Sequence, residues 1–153
     1  MRKSDKKNSA PETQSQMIML SNKSQGEKQF LISDIVYCQS DNTKVHVWFL
    51  DRGHFTITCG LAEFEELLKP YGFFRLQQSF LININHVDSV RRADKDIIMK
   101  HFPNVEISAS RDNGRWDAFI AAWEARAIWP RKEYKISETM PTRKERKEES
   151  GTV

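Results

Sequence analysis

The residues of this sequence able to make and break bonds or hold a metal are four histidines, two cysteines and a scatter of hydroxyls and carboxylates. A nucleophile needs a base within hydrogen-bond reach and a third group that orients the base. No Ser or Cys here sits in a recognisable motif of that kind. His46, His54, His86 and His101 lack the paired spacing of a metal site. Cys38 and Cys59 lie in separate strand-like runs and match no zinc or redox pattern; they read as two buried thiols in a reducing compartment. The glycines form no loop that would cradle a phosphate. Asp94 and Asp96 read as a solvated turn, and Glu63, Glu65 and Glu66 as the wet face of a helix. The expectation is a non-enzymatic binding domain with no cofactor and no metal.

The elements that position these residues occupy the middle of the 153-residue chain. Residues 1–16 contain no Val, Ile, Leu or aromatic side chain, a composition that predicts a disordered tail. Residues 130–153 are again charged and read as a flexible tail, which leaves a single domain over residues 17–129. The net charge of +3 comes from 24 basic and 21 acidic residues, but residues 17–123 hold 12 basic and 13 acidic. The surplus is therefore in the tails, and nucleic-acid binding has to rest on a local basic face. No apolar run is long enough to span a membrane. No hydrophobic signal segment follows the basic start, so the expected location is the cytoplasm.

Within the middle, Met17–Leu20 reads as a short strand. The run Gln29–Gln39 is a second extended stretch, bent at Ser33-Asp34. Along Lys44–Leu50, Val45, Val47 and Phe49 alternate with polar or aromatic partners. Asp51-Arg52-Gly53 then predicts a tight turn into His54–Thr58, with Gly53 free to take a positive φ. A short helix over Leu61–Lys69 would bury Leu61, Phe64, Leu67 and Leu68, and Pro70 and Gly72 end it. Phe74–Leu76, Phe80–Ile84 and Val87–Val90 are extended. Ile97–Phe102 and Val105–Ala109 form a hairpin around Pro103-Asn104, and a last helix from Asp112 to Ile128 carries a stripe of Trp116, Phe119, Ile120, Trp123 and Ala127. The expected fold is mostly β, a stack of small sheets with one internal and one C-terminal helix.

Phe73–Asn85 reads FFRLQQSFLININ and runs into His86-Val87. Its order of aromatic, Arg, short polar loop, Ser, aromatic, two aliphatics and Asn resembles the LytTR family, the DNA-binding domain of many bacterial response regulators. The other matches are ordered along the core: Asp34-Ile35 with Tyr37, the stretch Asp41–Val45, the helix Leu61–Leu68, and Ser110-Arg111 before the last helix. The resemblance implies an elongated three-sheet fold whose loops, rather than a recognition helix, enter successive major grooves of double-stranded DNA. By position it implies base contacts from Lys44 or its neighbour Thr43, from Gln78, and from Arg111 supported by Asn113. Arg can grip guanine O6 and N7 through two parallel bonds, and Gln can pair with adenine N6 and N7. Lys44 and Arg115 suit phosphates, which position the protein without specifying sequence. Arg75, Gln77, Arg91 and Arg92, near the central loop, are expected to contact phosphates as well. Ser79 and Asn83 read as fold residues that cap turns, and Phe73, Phe74 and Phe80 as core. Where the family commonly has His followed by Arg, Lys or Asn, this chain has Gln77-Gln78, which bears on the operator it would read.

The family usually carries a phospho-receiver domain upstream, and the residues before this core are too few to be one. The chain therefore reads as a stand-alone transcription regulator or an excised piece, binding as two copies on repeated half-sites. Its control would fall to abundance, dimerisation or a protein partner, with Trp123–Tyr134 as the candidate contact. The rival from another class is a protein-interaction module on the same fold with weak DNA binding. An RNA-binding β domain is less well supported, because no stacking pair of aromatics marks an exposed strand.

Overall fold

The computed structural model describes residues 16–109 and 113–130, with only the backbone of Asn113. Both proposed tails, apart from Gln16 and Pro130, lie outside the described residues, as does Arg111. Among the described residues the strands pair antiparallel throughout. Strands β1 (Met17–Asn22) and β2 (Gly26–Leu31) form a hairpin. Strands β3 (Ile35–Asp41), β4 (Lys44–Phe49), β5 (His54–Thr58), β6 (Phe73–Gln77) and β7 (Phe80–Asn83) form a five-stranded sheet of order β5-β4-β3-β7-β6. Strands β8 (Val87–Arg91), β9 (Asp96–Met99) and β10 (Phe102–Ser108) form a three-stranded sheet of order β10-β9-β8. Helix α1 (Leu61–Leu68) follows β5, and helix α2 (Asn113–Glu124) follows β10. This is the mostly-β stack with two helices that the sequence patterning predicts.

The five-stranded sheet is the middle layer, and the pleat sends alternate side chains to two cores. On one face Val45, Val47, Phe55 and Ile57 meet Ile18 and Leu20 of the hairpin and Leu61, Phe64 and Leu68 of α1. On the other, Tyr37, Leu76 and Ile82 meet Ile97, Met99 and Ile107 of the small sheet and Trp116 and Phe119 of α2. Covered on both sides, β3 reads Ile35-Val36-Tyr37-Cys38, four buried residues in succession. Phe119 is fully buried, and truncating such a side chain to Ala costs about 3–5 kcal/mol.

Several local expectations change. In the β4–β5 turn it is Arg52 that takes the positive φ, at 73°, while the Gly53 N–H donates to the Asp51 carboxylate at 2.8 Å. The short side-chain cap fixes the turn without Gly in the left-handed position. The β9–β10 turn falls at Lys100-His101, with His101 at φ 71°. Pro103 and Asn104 lie inside β10, where the register breaks between Phe102 and Glu106; Pro has no N–H to give a ladder and is tolerated at that break. Leu67 is 53% exposed, since it sits about 100° round the helix from Leu68. Asp96 is buried rather than solvated. Helix α2 stops at Glu124, so Ala127 is exposed, while Trp123 packs half-buried on the second core. Cys38 is buried and Cys59 only partly so; burial first, and the neighbouring Cys59 second, push the Cys38 thiol well up. Gly72 is required where it stands: its φ is +91° and a Cβ there would meet Ile84 Cγ2 at 3.1 Å.

Candidate nucleic-acid interface

Asn83, 1% exposed, holds the central motif together. Its Nδ2 donates to the Ile35 carbonyl at 2.8 Å, and its Oδ1 accepts the Asn85 N–H at 2.9 Å. The buried amide thus satisfies backbone groups of two segments, the fold role expected of it. Phe73 is buried, and Phe74 and Phe80 pack against the second core.

Pairing then determines where the polar turns emerge. Gln39 lies opposite Phe80 in the β3–β7 ladder, and the Ser40 N–H donates to the Ser79 carbonyl at 2.9 Å. The β3–β4 turn at Asn42-Thr43 and the β6–β7 turn at Gln78-Ser79 therefore share one end of the sheet. Asn42 takes the left-handed conformation at φ 59°, which Asn tolerates better than most residues. Thr43, Lys44 and Gln78 are exposed there. Gln77 donates through Nε2 to the Ser108 carbonyl at 2.8 Å, and the Ala109 N–H donates to Lys95 O at 2.8 Å. These bonds bring the end of β10 and the β8–β9 turn to the same edge. Arg111 itself lies outside the described residues, as does the side chain of Asn113, but the chain on both sides of them is anchored here.

The arginines expected near the central loop are held by carboxylates. Arg75, with a side chain 16% exposed, lies 3.3 Å from Glu65 and donates to the Gln78 carbonyl at 2.8 Å. Arg115 reaches the other Glu65 oxygen at 3.6 Å and donates to the Arg75 carbonyl at 3.2 Å. Glu65, expected on the wet face of α1, is thus the hub that joins α1, β6 and α2. Arg91 grips Asp96 through two bonds of 2.9 and 3.1 Å and also meets Glu106 at 3.1 Å; the hydrogen bonds it donates to these two carboxylates raise its pKa further. Arg92, 24% exposed, pairs with Glu124. Nothing local in the sequence marks Glu65 or Glu124, because their partners are distant in the chain. The Arg91–Asp96 pair was legible in principle, since the two face each other across the β8–β9 ladder.

The other polar cluster lies on β4 and β5. His46 approaches Thr56 Oγ1 at 2.7 Å and Asp41 at 3.2 Å, and its ring stands 5.9 Å from that of His54. The histidines are thus less isolated than their spacing suggests. Among the described residues no group of three or more His, Cys, Asp or Glu is placed to hold a metal, and no helix is long and apolar enough to cross a membrane.

Polar turns gathered at one end of stacked antiparallel sheets define a β domain with its exposed loops on one edge. The model of the LytTr DNA-binding domain family matches residues 27–115, and the chain belongs to that family. The family is a DNA-binding one, not a catalytic one. No curated protein matches the chain. Among solved structures, the LytTr DNA-binding domain of a protein assigned as a methyl-accepting/DNA response regulator from Bacillus cereus is similar in fold. It superposes with a TM-score of 0.52 at 20% identity, over 71% of this chain and 94% of that one.

Proposed function

We propose that this domain binds double-stranded DNA sequence-specifically, as a cytoplasmic bacterial transcription regulator whose loops enter successive major grooves. The observation that carries the reading is the junction of the two central turns: the Ser40–Ser79 bond joins them at one end of the sheet, where Thr43, Lys44 and Gln78 are exposed. In this reading Gln78 reads a base, and Thr43 or Lys44 contacts the neighbouring groove. Arg111, with Asn113, reads the far half of the site. Lys44 and the exposed Arg91 and Arg115 also meet phosphates. Arg75, Gln77 and Arg92 lie close enough to contribute, but their bonds to Gln78, Ser108 and Glu124 suit them above all to hold the loops in place. Two copies on repeated half-sites would supply the affinity that one small interface lacks.

Selection of bound sequences from a random duplex pool, followed by a salt series, tests this. A recovered motif whose affinity falls steeply with salt is expected; no binding to any duplex at low salt overturns the reading. One observation favours a second reading, a protein-interaction module on the same fold. Among the described residues Arg75, Arg91, Arg92 and Arg115 are each engaged by an acid, and Met19 and Leu67, 55% and 53% exposed, line a cleft between β1 and α1. That reading predicts a protein partner and no salt-dependent duplex binding.

A further inference from the structure

We propose that the cleft between the β1–β2 turn and the start of β4 is an additional DNA-phosphate site, with Lys23 as its outer cation. The proposal rests on the DNA-binding reading above and extends it to residues 17–26, which lie outside the matched span 27–115. The cleft holds about 730 Å³ and is lined by Lys23, Ser24, Lys44, Thr56 and Thr58 together with Ser21 and Asn22. Among the described residues no carboxylate lines it. Lys44 and Thr58 face each other across the β4–β5 ladder, so residues that carry ammonium and hydroxyl groups line the cleft from two strands and a turn, with the Thr56 hydroxyl also held by His46. That chemistry suits a phosphodiester, which takes point charges and hydroxyl donors without reporting its base.

The turn is also built to stay in place. Asn22 Nδ2 donates to the Thr56 carbonyl on the free edge of β5 at 2.7 Å, and Asn22 Oδ1 accepts the Gln25 N–H at 2.7 Å. Gly26, at φ +78°, lets the chain reverse. One side chain thus shapes the turn and docks it to the sheet, so that Lys23 is presented by a fixed loop. Because β5 is the outermost strand on that side, Lys23 lies beyond Lys44 in the direction away from Gln78. It would therefore meet a phosphate on the outer flank of the site.

The test compares wild type, Lys23→Gln and Lys23→Arg on two probes, the tightest duplex recovered by selection and a mixed-sequence duplex, over a salt series. Lys23→Gln should weaken both by the same factor, roughly three- to tenfold at low salt, and flatten the log–log salt slope by about 0.9. Lys23→Arg should keep the wild-type slope, and trimming the duplex on the first-loop flank should erase the difference between wild type and Lys23→Gln. Unchanged affinity and slope in Lys23→Gln, with wild-type binding intact, overturns the Lys23 site alone. So does a loss confined to one sequence. Wild type binding neither duplex overturns the DNA-binding reading along with it.

Discussion

At the β5 side of the presented edge, Lys23 and Lys44 carry charges that no carboxylate meets among the described residues, whereas Arg75, Arg91, Arg92 and Arg115, toward β6 and α2, are each paired with an acid. Even Asp41, close to the first turn, is met by His46 rather than by Lys44. The difference follows from the side chains. A guanidinium offers a planar fork that locks carboxylates and carbonyls in fixed geometry, while an ammonium is a hydrated point charge on a flexible stem. In the proposed DNA-binding role, one half of the edge would supply most of the free charge for phosphates, while the other, tied to acids, mainly holds the loops. Salt dependence should come mainly from the lysine half and loop geometry from the arginine half.

The largest effect that would break this comparison is Glu65→Ala. It leaves Arg75 largely buried beside an empty place and frees Arg115. Losing one partner of such a pair should cost about 2–4 kcal/mol of stability, with a further fall in affinity in the folded fraction as the Gln78 loop loosens. Chemical denaturation and duplex titration measure the two separately. If stability is unchanged, the Glu65–Arg75–Arg115 cluster is not structural and the comparison fails at those two arginines. Next in size, Arg111→Ala should cost about 1–3 kcal/mol of binding and relax a single base position, with little change in folding. A second selection with the variant reads this directly; an unaltered motif removes Arg111 from the base-reading set.

How far these roles could be read from the sequence depends on how local they are. Phe73–Asn85 was legible because its apolar residues and the Asn85 N–H bond to Asn83 Oδ1 act within two strands and the turn that follows, whereas the Asn83 bond to the Ile35 carbonyl was not. The strand faces of Val45, Val47 and Phe49 follow from the same short period. Glu65 was not, since its partners Arg75 and Arg115 reach it only after α1, β6 and α2 have docked. The β9–β10 turn was misplaced for a different reason. Pro103-Asn104 has strong turn chemistry, yet the pairing of Met99 with Phe102 puts the reversal at Lys100-His101, so cross-strand packing overrode local preference. In the site, the exposed turn residues could be named by position, but whether a basic residue was free or paired could not.

A smaller effect sharpens the lysine half. Lys44→Ala removes an exposed side chain that makes no ion pair among the described residues, so stability should stay within about 0.5 kcal/mol. Affinity should fall by a similar factor for every duplex, with the salt slope reduced by about 0.9. A sequence-dependent loss would instead make Lys44 a base reader and move Thr43 to the supporting role.

The smallest effect lies at the opposite end of the sheets and separates folding from binding. His86 Nε2 donates to the Ser33 carbonyl at 2.6 Å, and burial, with Lys100 and His101 nearby, holds its pKa below the ordinary value despite the opposing pull of that bond and of Asp34. The unfolded chain therefore takes up a proton at a higher pH than the folded one. Stability should be full above pH of about 6.5, decline as pH falls from there to the depressed folded value, and level off below it. His86→Gln, which keeps an N–H donor but cannot titrate, should flatten that part of the pH–stability curve. An unchanged curve would place the titration elsewhere. Any acid-side change in duplex affinity that persists in His86→Gln arises away from the His86–Ser33 contact.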